Sequence, residues 1–147
     1  MTGVYGWIRL WGAGNGAERG LYADFLNEAA VILARPSLDA AAGQFRLSRV
    51  AWCELADEAL PEQVPLLKQT RELLKLRYDL FIQQGEAALD EIVRINEALK
   101  ANRAAAGENF PLNAAGAADL FERMREKVLK IHDIEVQAVE AMQRALE

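Results

Sequence analysis

From residue 21 onward, apolar residues recur at alternating steps of three and four, with few glycines or prolines between them. Leu38, Ala41, Phe45, Ser48, Trp52, Leu55 and Ala59 show it most clearly. That period is the apolar stripe of a helix packed on other helices; a half-buried strand would alternate every second residue. It predicts an all-α protein. A chain of 147 residues is the size of one domain and long enough to bury a core.

The first helix is expected over about 21–33, with Leu21, Phe25, Ala29 and Leu33 on its apolar face and Tyr22, Leu26 and Ile32 widening it. Arg35-Pro36 ends it, since proline disfavours helix in the residue before it. Ser37 is placed to cap a second helix that stops at Leu60-Pro61. Pro65 opens the third, where a missing N–H costs nothing. Leu74, Tyr78, Phe81, Gly85, Ala88, Ile92, Ile95 and Leu99 keep the same phase through the glycine, which predicts one helix over about 66–106; a break near Gly85 is the alternative. Asn113 is a cap for the last helix, whose seam runs Ala117, Phe121, Met124, Val128, Ile131, Ala138, Met142, Ala145, with Glu135 its one polar interruption. The short connection at Gly107 to Pro111 predicts that the two long helices pack antiparallel. The expected architecture is a helical bundle on a long antiparallel hairpin, with two shorter helices and a Gly/Trp-rich N-terminal arm. The arm is residues 1–20 and the bundle 21–147. The arm holds six of the ten glycines, plus Trp7 and Trp11, and its Val4–Trp11 stretch is the one place an extended segment is expected.

Gly12-x-Gly14-x-x-Ala17 looks like a dinucleotide-binding turn. That fold needs a second strand ending in an acidic residue about 20 positions on, and here Arg35-Pro36-Ser37 leads into another helix. No nicotinamide or flavin cofactor is therefore expected. A weaker form survives, in which backbone N–H groups of the Gly12–Gly16 loop hold an anion at the start of the first helix, helped by Arg9 and Arg19. The lone Cys53 lies beside Glu54 and Asp57, a setting that disfavours a thiolate. The lone His132 shares a helix face with Glu135 at i, i+3, but a second histidine for a bundle-type di-metal site is lacking. No catalytic residue, metal site or cofactor is expected. The net charge of −5, with basic and acidic residues interleaved, argues against nucleic acid. No apolar run approaches the roughly 20 residues that span a bilayer, and no signal peptide is evident, so a cytoplasmic protein is expected. Trp7 and Trp11 either pack on the bundle or dock on another protein.

The run "WIRLWGAGNGAERGLYADFLNEAA", followed by "AWCELADEALP", "ELLKLRYDLFIQQGEAALDEIVRINEAL" and "NFPLN", resembles the C-terminal helical domain of butirosin biosynthesis protein H-like proteins, a domain without an assigned function. The positions that carry the likeness are Trp7, the glycines from Gly12 through Gly14 to Gly16, Arg19, and Leu21 to Ala30, including Tyr22. In that family an N-terminal domain similar to papain-like cysteine enzymes carries acyl transfer. This sequence has no counterpart of it, and Cys53 matches no catalytic position. The resemblance thus implies a non-catalytic accessory module, either a fragment or a stand-alone relative, that associates with a papain-like cysteine enzyme domain or with itself as a homodimer. The candidate contact residues are Trp7, Trp11, Gly12, Gly14, Gly16, Arg19 and Tyr22. The alternative is a small-ligand or anion-binding protein using the Gly12–Gly16 loop.

Overall fold

A computed structural model describes residues 1–11 and 16–147, and all regular structure among them is helical. The elements are α1 (Thr2–Tyr5), continued by a π-helical segment (Gly6–Leu10), α2 (Arg19–Ile32), α3 (Leu38–Ala59), α4 (Pro65–Gln84), a 3-10 turn (Gly85–Ala88), α5 (Leu89–Glu108) and α6 (Ala114–Leu146).

Helix α3 is the central strut. Its expected stripe is the buried one: Leu38, Ala41, Phe45, Ser48, Leu55 and Ala59 are all buried and Trp52 half-buried. α6 packs along one side of it and α2 along another. The core shared by α2, α3 and α6 is rich in alanine, with Ala23, Ala30, Ala41, Ala42, Ala138 and Ala145 set around Leu26 and Phe45. Small side chains let helix backbones approach closely. A second apolar cluster joins the N-terminal segment to α3, α4 and α6 through Tyr5, Ile8, Leu10, Leu55, Leu67 and Ile131.

Three expectations change. Residues 2–10 are helical rather than extended. Gly3 and Gly6 each disfavour helix by about 1 kcal/mol, but burying Tyr5, Ile8 and Leu10 contributes about 1.5–3 kcal/mol apiece and outweighs it. The segment is also pinned by Arg9, whose Nε donates to Asp57 Oδ1 at 3.1 Å. Residues 2–10 are thus built into the bundle core rather than hanging from it.

The second change is at Gly85. The chain is helical throughout 65–108, but it does not run straight. Gly85 takes φ 54°, ψ −123°, a conformation open essentially to glycine, and the chain folds back. Arg77 Nη1 then donates to Asn96 Oδ1 at 2.9 Å, and Asn102 Nδ2 to Thr70 Oγ1 at 3.2 Å. In one straight helix residues 70 and 102 would stand about 48 Å apart. The long hairpin is therefore α4 against α5, whereas α6 lies along α3 rather than against the 66–106 segment. Gly85→Ala is expected to lower stability by roughly 1–3 kcal/mol, because alanine is strained at this φ and ψ. Thermal unfolding checks it, and an unchanged melting temperature would count against the fold-back.

The third is the face of α2, which turns Ala23, Leu26 and Ala30 inward and leaves most of the expected apolar face in solvent. Capping follows expectation in part. Asn113 Oδ1 accepts from Gly116 N at 2.8 Å, whereas Ser37 makes no such bond.

Candidate functional site

The best-built polar cluster ties the start of α2 to α3 and α6. Ser48 and Trp52, four residues apart on α3, share one face. Opposite them on α6 is Glu135, the polar member of that helix's seam. Glu135 Oε1 accepts from Ser48 Oγ at 2.7 Å, Trp52 Nε1 at 2.9 Å and Arg19 Nε at 2.7 Å, and Oε2 accepts from Arg19 Nη2 at 3.2 Å. The Arg19 guanidinium also lies over the Trp52 ring, 5.7 Å from its centroid. Burial alone would raise the Glu135 pKa. The bonds from Arg19, Trp52 and Ser48 and the charge of Arg19 outweigh it and bring the carboxyl down to about 2. Glu135 is thus a fixed anion, with Oε1 accepting three hydrogen bonds and Oε2 one. Such a group organises structure and is a poor proton acceptor at neutral pH.

Beside this cluster the surface opens. Glu18, Arg19, Leu21, Tyr22, Phe25 and Phe45 line a hollow of about 480 Å³. Tyr22 is its centre: it packs edge-on to Phe45 at 4.7 Å, stacks on Phe25 at 5.9 Å, and its hydroxyl donates to Met142 Sδ at 3.3 Å. Leu21 and Phe25 are 51% and 58% exposed, and the stripe continues through Ile32 to the consecutive Val31, Ile32 and Leu33, where Val31 and Ile32 are about 80% exposed. Three consecutive large aliphatic residues in water are a run that ordinary monomer surfaces avoid.

The residues expected to form one site are dispersed. Trp11 packs down, with its ring 5.3 Å from Tyr78 and 5.7 Å from Phe81, while Trp7 stands 73% exposed. Gly12 and Gly14 lie outside the described residues. Gly16 is buried at φ +85°, where an added Cβ would sit 2.8 Å from the Arg49 carbonyl oxygen. The glycine at this position serves the close approach of the turn to α3. Arg19 and Arg9, the cations flanking the turn, are paired with Glu135 and Asp57. His132 is exposed with Nδ1 3.2 Å from Asp133 Oδ1, while Glu135 on the same helix turns inward. Among the described residues no three His, Cys, Asp or Glu side chains come together as a metal set would require. Burial pushes the Cys53 thiol up despite Arg9 and Arg49, so it is a poor nucleophile. Among the described residues no helix is long and apolar enough to cross a membrane.

Sequence reasoning missed Ser48 and Trp52 as partners of Glu135. The signal was there: Ser48 and Glu135 are the polar members of two otherwise apolar seams, and two such positions are best satisfied by each other. No protein-family model matches this chain, and no curated protein and no solved structure matches it.

Proposed function

We propose that this protein is a non-catalytic helical interaction module whose contact face is the outer surface of α2, and that its partner is a papain-like cysteine enzyme domain, as the resemblance to butirosin biosynthesis protein H-like proteins implies. The observation that carries the reading is the uncovered stripe of Leu21, Tyr22, Phe25 and Ile32, with an aromatic-lined hollow beside it. Aromatic anchors next to a hollow are the usual centre of a protein interface. The amount of surface agrees. The chain exposes 9009 Å², against about 7,500 Å² for a compact monomer of its mass. The difference, about 1,500 Å², exceeds the roughly 800 Å² that one partner contributes to a standard interface. The Arg19–Glu135 cluster holds the end of α2 in place, so that the face is rigid before contact. Acyl transfer would be the work of the partner, in the cytoplasm.

A tagged form of the chain, passed through native lysate, is expected to retain a papain-like cysteine protein identified by mass. Phe25→Glu together with Ile32→Glu should weaken that capture at least tenfold, about 1.4 kcal/mol, with helicity unchanged, since both side chains already face water. Capture of further copies of the chain alone would convert the reading to a homodimer. Retention that the double variant does not alter would remove α2 as the contact face.

A further inference from the structure

We infer that the groove between the N-terminal helical segment, α4 and α5 binds an amphipathic organic anion, an unbranched apolar chain ending in a carboxylate. The open groove has a volume of about 1080 Å³, just above the usual range of small-ligand sites, and lies on elements other than α2. Its floor is apolar: Leu60, Leu67 and Leu74 are buried there and Leu99 flanks them. Trp7 and Trp11 form a wall, so the indole left 73% exposed faces a hollow and not only open solvent. Along α4 the lining runs from Leu66 to Arg77, about 16 Å at 1.5 Å per residue. An extended chain advances about 1.2 Å per bond, so the carbon chain of a twelve-carbon acid, about 13 Å, fits within that length.

Charge sets the sign of the ligand. Arg77, Lys100 and Arg103 line the groove, and no aspartate or glutamate does, in a chain of net charge −5. Elsewhere basic side chains are mostly paired: Arg9 and Arg71 with Asp57, Arg19 with Glu135, Arg123 with Glu58, Lys127 and Lys130 with Glu54. Among the described residues Arg77, Lys100 and Arg103 engage no carboxylate; Arg77 donates to the neutral Asn96. Asn96, Lys100 and Arg103 follow steps of four and three along α5, which sets them on one face beside the apolar floor. Planar guanidinium groups hold a carboxylate through paired N–H donors, and a lysine adds a point charge.

The test titrates the full chain with dodecanoate, below its aggregation concentration, following tryptophan fluorescence and heat. Dodecyltrimethylammonium serves as the charge-reversed control. Two variants accompany it. Arg77→Gln/Lys100→Gln/Arg103→Gln removes the charge. Gly107→Phe adds a ring at the groove's lining, where a Cβ meets nothing within 4 Å and the fold is left undisturbed. Saturable one-to-one binding of dodecanoate is expected, at least tenfold tighter than the ammonium and at least tenfold weaker in each variant. Equal binding of the two amphiphiles, a stoichiometry well above one, or indifference to the triple variant would overturn the inference. A stable dimer in sedimentation that Gly107→Phe dissociates would overturn it too, by assigning the groove to a second copy.

Discussion

Glu135→Leu is expected to destabilise the protein by about 3 kcal/mol. The substitution strands the Arg19 guanidinium, the Trp52 N–H and the Ser48 hydroxyl, all of which now donate to this carboxylate. Breaking a buried ion pair by removing one partner costs about 3–5 kcal/mol. Here the side chains keep 32% and 26% of their exposure, so water recovers part of that and the lower end applies. Ser48 also has an escape, since a helical serine can donate to the carbonyl four residues back. Glu135→Gln keeps the shape and one acceptor but loses the charge, so it should lie between. The pH dependence separates charge from shape. Glu135 titrates at about 2 when folded and near 4.3 in an unfolded chain, so the unfolded state binds the proton first as pH falls. The stabilisation it contributes, roughly 2–3 kcal/mol, is complete above pH ~4.5 and is lost as pH drops toward 2. Urea unfolding of the wild type and of Glu135→Gln across pH 2 to 7 should give curves that converge in acid. Parallel curves would mean that the carboxylate contributes no more than its hydrogen bonds.

The same carboxylate shows what can be read from a sequence and what cannot. The seam of α3 was legible because period alone decides it, and its six buried positions follow from steps of three and four. On α2 the recurrence of Leu21, Phe25, Ala29 and Leu33 marks a face other than the buried one, which is Ala23, Leu26 and Ala30. α2 comes close to α3, and at that distance Ala23 and Ala30 fit where Leu21 and Phe25 do not. The larger residues were left outside, which is why the outer face of α2 is now the candidate contact surface. At Gly85 the apolar phase carries through a 3-10 turn, so periodicity could not distinguish a straight helix from two antiparallel ones. Gly85 itself was the local mark of a break, and its φ of +54° belongs to the structure alone.

The N-terminal segment was the reverse case. Its glycines were a true signal of weak intrinsic helicity, but Tyr5, Ile8 and Leu10 find partners on α3 and α4 that no local pattern reveals. The groove was invisible for the same reason. Its cations sit on α4 and α5, interleaved in sequence with Glu72, Asp79, Glu91 and Glu97, and only the fold-back gathers Arg77, Lys100 and Arg103 on a surface without acids.

The turn before α2 gives a prediction with opposite signs at adjacent residues. Gly16, Ala17 and Glu18 all adopt positive φ, at 85°, 51° and 64°. Gly16→Ala is expected to cost roughly 2–4 kcal/mol. Left-handed backbone disfavours an L residue by about 1–2 kcal/mol, and the new methyl would meet the Arg49 carbonyl at 2.8 Å, a backbone atom that cannot swing aside. Moving the turn would also strain the bond from Gly16 N to Ile8 O, 2.7 Å, which joins the N-terminal segment to the start of α2. Glu18→Gly should do the reverse. Glu18 is exposed, makes no capping bond as the residue before α2, and already holds the left-handed conformation at a cost that glycine does not bear. Its replacement is expected to stabilise by up to about 1 kcal/mol, after the added freedom of the unfolded chain is subtracted. Urea unfolding of the two variants reads both. If Gly16→Ala unfolds with the wild-type midpoint, the close approach of turn to α3 is wrong. Gly16 would then have to be explained by something it binds, instead of by the helix it lets pass.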